Sequence, residues 1–394
     1  MSTALRLGLY YAVLLVGTGA SAPYAGVWFK AHGLSGAAIG LILAAPSLGR
    51  AVTGPLLALW ADSFSLRRSP IALIGMSVAA AYAGFAISKG FWAWLTLWFV
   101  SQSLFGVCSA LADVLALRRA RTEGFNYGWP RGIGSAAYVL GNVAMGYILG
   151  LAAPDALLVW IVVAAFGSAI VAQWALPPDP VHESGETLPA RERFKGLGAL
   201  VADPVFMLAI VSTGLIQASH GFYYGFSALA WKGQGLASGM VGVLWGVGVG
   251  AEIGFLWFME PWRRRIGPER LVVLGGVGAV VRWTCMAASP PPWLLFALQA
   301  LHALSFTATF MGSLQLMERL APARSATSAQ TLNSVLSGGV LIGLSTMASG
   351  RLFDTVGPLA YLAMGLIAAA GLVGALCLGP LQRARAGRRV IDTA

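Results

Sequence analysis

The chain is poor in charge. Only 10% of its 394 residues are Asp, Glu, Lys or Arg, while 57% are hydrophobic. Soluble domains carry about 25% charged residues, so an ordinary soluble protein is excluded. Cysteine is scarce as well. Cys108, Cys285 and Cys377 lie in apolar runs without metal-like spacing. That excludes a disulfide framework and predicts free buried thiols. No glycine loop closes on Lys-Ser or Lys-Thr, which argues against an ATP-driven pump. No serine sits at a glycine elbow with an acid and a histidine, so no hydrolase and no other enzyme is expected. Neither a carbonyl filter nor a ring of repeated charges suggests a channel. No cofactor and no metal site are expected.

What the chain does have is long apolar runs. Twelve can be drawn, at about 5–29, 37–61, 70–88, 92–118, 131–152, 156–176, 204–231, 238–262, 271–289, 293–318, 327–350 and 357–379. About 20 apolar residues let a helix cross roughly 30 Å of hydrocarbon. Without water to satisfy the backbone, these runs must be helices. The first exceeds the roughly 7–15 apolar residues of a signal-peptide core and reads as a membrane helix. The expected fold is therefore an all-α membrane protein with twelve transmembrane helices.

A net charge of +11 could suggest nucleic acid, but its distribution supplies another reason. With the N-terminus inside, most of the 26 basic residues fall on the cytoplasmic face. Lys30, Lys89, Lys232 and Arg351 fall outside, and Arg50 and Arg282 lie within spans. This asymmetry places both termini in the cytoplasm of an inner-membrane, multi-pass protein. The partners it implies are membrane lipid, a small-molecule solute and protons, with a monomer as the working form and no nucleic acid.

Between the sixth and seventh runs the composition turns polar and proline-rich. The expected division is a six-helix bundle over 1–176, a cytoplasmic linker over 177–203, a second bundle over 204–380 and a tail over 381–394. A short interfacial helix is expected at Ala190–Val201. The halves carry a weak repeat: Ile39-Gly40 precedes Arg50 as Val241-Gly242 precedes Glu252. Related halves are a layout of transporters. The 50 glycines allow close helix packing in lipid.

Ionisable residues inside spans are the candidate chemistry, since a charge at the bilayer centre costs about 2.5–3.5 kcal/mol on insertion scales. Glu252, Arg282 and His302 fall in three successive spans. They form either a static ion pair with a hydrogen-bonded histidine or a proton-coupling set in which Glu252 titrates. Upright helices would put Glu252 roughly 20 Å below the outer surface and the other two roughly 10–14 Å below it. Asp113 and Arg131 form a second pair, for substrate or as an anchor for Arg118, Arg119 and Arg121. Arg50 reads as an anion contact or as a bond to carbonyls or Asp113. Gln102, Asn142, Gln217, His220, Gln299, Gln315 and Asn333 line a cavity or join helices. Tyr24, Tyr138 and Tyr223 are candidates for stacking on a ring-bearing solute.

Several stretches resemble the major facilitator superfamily, specifically the phenylpropionate-permease-like group related to the lactose permease. They are "HGFYYGFSALAWKGQGLASGMVGVLWGVGVGAEI" at 220–253, "LQALHALSFTATFMGSLQLMERLAP" at 298–322, "SAQTLNSVLSGGV" at 328–340 and "FNYGWPRGIGSAAYVLG" at 125–141. The resemblance implies two pseudo-symmetric six-helix bundles and proton symport. Asp113, Arg131 and Tyr138 are similar to the permease's sugar-binding acid, arginine and stacking aromatic. Glu252, Arg282 and His302 resemble its coupling residues. Two departures stand out. Ser305 occupies the place of a proton-carrying glutamate, and the loop that includes Asp62, Arg67 and Arg68 lacks the family's glycines, which bears on its gating role. The reading is a proton symporter that imports a small organic solute, an aromatic carboxylate such as phenylpropionate. Substrate contacts would be Arg50, Asp113, Arg131, Tyr138, Tyr24, Tyr223 and Gln299. A sugar or nucleoside symporter and a proton-antiporting exporter are the alternatives.

Overall fold

The computed structural model describes residues 1–181, 197–322 and 325–392, and these are helical apart from connectors and one isolated antiparallel bridge, Leu66 to Pro180. The first six helices are α1 Thr3–Ala31, α2 Gly36–Ala61, α3 Arg68–Ile87, α4 Phe91–Glu123, α5 Gly128–Leu151 and α6 Ala156–Trp174. A six-residue α7, Leu197–Ala202, precedes α8 Pro204–Ala218 and α9 Gly221–Gly233. Then come α10 Ser238–Phe258, α11 Glu260–Ala287, α12 Pro292–Ala300, α13 Thr309–Leu320, α14 Ala326–Val335, α15 Ile342–Val356 and α16 Ala360–Asp392. Of the expected interfacial helix, 190–196 lie outside the described residues and the remainder falls on α7.

Among the described residues, 11 helical stretches are long and apolar enough to cross a membrane. The last, Ser328–Arg383, spans 56 residues and holds two crossings, separated at Gly357 by a positive φ of 57° and a single 3₁₀ turn. The expected twelve spans are therefore all present.

Three of those spans are not the plain rods that apolar length suggests. The run at 204–231 breaks at Ser219–His220, where the Ser219 hydroxyl donates to the Ile216 carbonyl at 2.6 Å. Side chains that capture carbonyls in this way compete with the helix ladder. The run at 293–318 contains a π turn, Ala303–Ala308, and that at 327–350 contains another, Leu336–Leu341. The helical stretch that carries the ninth crossing begins at Glu260 but is broken at Gly267 (φ 76°) ahead of Pro268, so the expected crossing at 271–289 lies beyond the break. Glycine alone takes that φ without strain, and proline has no N–H for the ladder.

Two compact units form, Met1–Gly185 with Tyr224–Gly246, and Glu186–Tyr223 with Val247–Ala394. In the first, α1 lies directly on α5. A Cβ on Gly19 would stand 2.1 Å from the Tyr138 carbonyl oxygen, and one on Gly141 would stand 2.3 Å from that of Val16. Any side chain there would force the helices apart. In the second unit, α11 packs on α13 and α16, and α8 also packs on α16. Large apolar side chains such as Val52, Leu56, Leu140, Val163 and Leu366 stay exposed along the spans, as a lipid-facing surface requires. The cysteine expectation needs correction. Cys108 is buried, but Cys285 is half-buried and Cys377 is exposed, because the outer face of a span is apolar without being packed.

Candidate functional site

The second unit gathers Glu252, Arg282 and His302 into one hydrogen-bonded chain. Arg282, on α11, is fully buried and lies over the rings of Tyr223 (4.6 Å) and Trp283 (4.5 Å). Its Nη1 contacts His302 Nδ1 at 2.7 Å and donates to Ser305 Oγ at 3.3 Å, and its Nη2 donates to Gln299 Oε1. His302 Nε2 in turn lies 3.1 Å from Glu252 Oε1. The expected difference in depth is thus closed by two contacts in series, Arg282 to His302 and His302 to Glu252, rather than by one direct reach.

The donors fix the tautomers. A guanidinium can only donate, so His302 Nδ1 accepts and its proton sits on Nε2, pointed at the Glu252 carboxylate. A second branch runs the other way. His220 Nδ1 faces the Gln217 carbonyl at 3.1 Å, so it carries the proton, and its Nε2 accepts from Ser305 Oγ at 3.1 Å. His302 is therefore neutral, and the two rings carry these protons on opposite nitrogens. While Arg282 holds Nδ1 of His302, an added proton has no site on that ring. The Glu252 carboxylate, partly exposed at 20%, is the group able to take it. Gln299 Nε2 completes the cluster by donating to Tyr223 Oη at 3.5 Å.

His220 and Ser305 are the members that sequence reasoning did not single out for this role. His220 counted only among cavity or packing polar groups, and Ser305 only as the place of an absent glutamate. The break at Ser219–His220 and the π turn that begins at Ala303 present them to Arg282. The signal available was one of only four histidines lying inside an apolar run.

The first unit holds the other predicted pair. Asp113 Oδ1, on α4, accepts from Tyr11 Oη at 2.6 Å and from Tyr127 Oη at 2.8 Å. Burial, together with that carboxylate, pushes the Tyr127 phenol up to about 12, so it remains a donor. Arg131 lies over the Tyr11 ring, with Cζ 5.3 Å from its centroid. Its Nη1 is buried and makes no hydrogen bond among the described residues. Among the described residues, no ion pair joins Asp113 to Arg118 or Arg119. Arg118 and Arg119 instead meet the buried Asp179 at 3.4 and 3.2 Å.

The remaining candidates are dispersed. Tyr24 is buried and donates to the Ser238 carbonyl at 2.8 Å. Tyr138 is half-buried on α5, its carbonyl against Gly19. Arg50 is exposed on α2 and bonds neither Asp113 nor a carbonyl among the described residues. Arg67 pairs with Asp179 at 3.0 Å and donates to the Val181 carbonyl at 3.1 Å, which straps residues 179–181 onto the loop before α3. The Nε of Arg68 is buried without a hydrogen bond among the described residues, and Asp62 caps the end of α2. Asp179 had no sequence signal, since its three arginines are remote in the chain. Other span polar groups join helices: Gln217 donates to the Phe306 carbonyl at 3.2 Å, and Asn333 accepts from Ser313 at 3.2 Å and Ser337 at 3.0 Å.

Comparison with known proteins places this geometry in context. Residues 4–363 match the MFS_1 like family. A protein of Escherichia coli strain K12 named "Probable 3-phenylpropionic acid transporter" is 27% identical, over 92% of this chain and 94% of its own. A maltose permease of Geobacillus stearothermophilus is also 27% identical, over 95% of this chain and 94% of its own. The crystal structure of the nucleoside transporter NupG shares the fold with a TM-score of 0.81 at 16% identity, covering 96% of this chain and 99% of that one. A peptide transporter structure, POT in complex with sulfate, does so with a TM-score of 0.72 at 15% identity, covering 98% and 94%.

Proposed function

This chain belongs to the MFS_1 like family, a multi-pass membrane transporter of major facilitator fold, and on that premise we propose that it is a proton symporter importing a small aromatic carboxylate. The observation that carries the substrate class is the state of Arg131. Asp113 is already engaged by two tyrosine hydroxyls, while a buried N–H of Arg131 has no hydrogen-bond partner among the described residues. A buried guanidinium donor without an acceptor is costly. A carboxylate brought by the solute would supply one, through charge-assisted hydrogen bonds of the kind arginine makes best. Tyr11, beneath Arg131, and Tyr138 would meet its ring. Arg50 is a further anion contact in this reading. The 27% identity to the protein named "Probable 3-phenylpropionic acid transporter" points the same way.

Proton coupling is assigned to Glu252. With His302 locked as a neutral donor, a proton taken from the medium resides on the carboxylate, and its arrival weakens the His302 contact. That change gives the cluster two electrostatic states. Arg282, Gln299 and Tyr223 hold the ring in place. Asp62, Arg67 and Arg68 have a conformational rather than a substrate role, as the strap onto Asp179 suggests. Both termini lie in the cytoplasm of the inner membrane.

Purified protein in liposomes tests both assignments. An inward acid gradient should accumulate 3-phenylpropionate, and Arg131→Gln should cut uptake at least about tenfold, the loss of roughly 1.4 kcal/mol of binding. Glu252→Gln should keep exchange of solute across the membrane but lose its response to the gradient. Uptake indifferent to the gradient in the parent protein would overturn coupling. The similarity to a maltose permease favours a second reading, in which Asp113 and its tyrosines grip sugar hydroxyls. Accumulation of maltose with no response to carboxylates would select it.

A further inference from the structure

We infer that the cavity between the basic ends of α11 and α16 is a binding site for an anionic phospholipid. It is an open cavity of about 980 Å³ within the second unit, and no member of the Arg282 cluster lines it. Three arginines, Arg265, Arg270 and Arg383, contribute to its wall. The acid among them is already matched, because Glu269 pairs with Arg319, which also donates to Gln382 at 2.8 Å. That relay ties three helices together beside the cavity and leaves an excess of cations facing it.

The rest of the wall decides what kind of anion fits. Beyond the arginines and the already paired Glu269 and Gln382 it is apolar, made by Val273 and Leu274 on one helix and by Ala375 and Leu376 on the other. From Arg383 back to Ala375 is about 12 Å of helix, the reach of a headgroup and its first acyl carbons. Leu376 is 55% exposed and Val373 61%, so the apolar wall runs on into the lipid-facing surface. Gly379 lies in the wall with no side chain, and the atom nearest to where its Cβ would be is Arg383 Nη1, at 3.8 Å. Space for a chain is thereby left below the guanidinium. A hydrated inorganic anion gains nothing from an apolar wall, whereas a phosphodiester carrying acyl chains gains from both parts. Basic pockets at the interface are suited to such headgroups.

Native mass spectrometry of the full chain, released from micelles holding equal phosphatidylglycerol and phosphatidylcholine, tests this. Retention of phosphatidylglycerol several-fold above phosphatidylcholine is expected, together with a saturable rise in melting temperature on adding it. The substitutions Arg265→Gln, Arg270→Gln and Arg383→Gln together should abolish the preference, and three Lys replacements should retain most of it. Gly379→Leu, with every arginine intact, should reduce retention by filling the apolar part, and it keeps the test available if the triple variant fails to fold. Equal retention of the two lipids, a triple Gln variant with undiminished preference, or full competition by inorganic phosphate would each overturn the proposal.

Discussion

At the scale of single residues, the second unit's polar cluster is organised by the one group in it that cannot accept a hydrogen bond. Arg282 dictates the proton position of His302 directly and meets His220 through Ser305. Removing His220 would strand the Ser305 hydroxyl and empty a space beside Trp283, whose ring centroid lies 5.0 Å away. His220→Ala is expected to lower stability by about 1–3 kcal/mol, the cost of an unsatisfied buried group, before any cavity contribution. Denaturant titration in detergent measures it, and His220→Asn, which keeps one donor and one acceptor, should recover part of the loss. The three ionisable members were legible in the sequence because charge is so rare within its apolar runs. Tyr11 and Tyr127 were not, since a tyrosine in a membrane helix or at the start of one carries no cost that marks it as functional.

At the scale of elements, the irregular turns matter more than the helices. His302 and Ser305 both reach Arg282 where α12 ends and the π turn Ala303–Ala308 begins. A π turn is one extra residue accommodated within an α-helix, and such turns are frequent at functional sites. Deleting Leu304 should therefore close the turn while the flanks stay packed. It would also bring Ser305 to the second position after His302, about 200° around the helix rather than on the same side. The expected result is normal membrane insertion with a melting temperature close to that of the parent, and uptake reduced at least about tenfold. Apolar length alone gave the spans, because the bilayer imposes it. It did not give the π turns or the break at His220, because a wide turn and a regular one bury the same apolar side chains.

For the whole molecule, charge distribution carries the prediction. Under the proposed topology, the arginine-rich connectors put both ends of the chain on the same, cytoplasmic side. A fluorescent protein fused after Ala394 should therefore be bright in cells and an alkaline phosphatase fused there inactive; the reverse pattern would invert the topology. By itself the sequence determined the solvent, the number of crossings and the residues too costly to be in lipid without purpose. Those are one-body properties, set by transfer of each segment from water. Which groups meet is a many-body property. The carboxylate of Asp179 among three arginines, the two hydroxyls on Asp113 and the histidine between Arg282 and Glu252 exist only once the helices pack. Hydrogen-bond partners are decided by angstroms across helices remote in the chain, and tertiary structure alone supplies those.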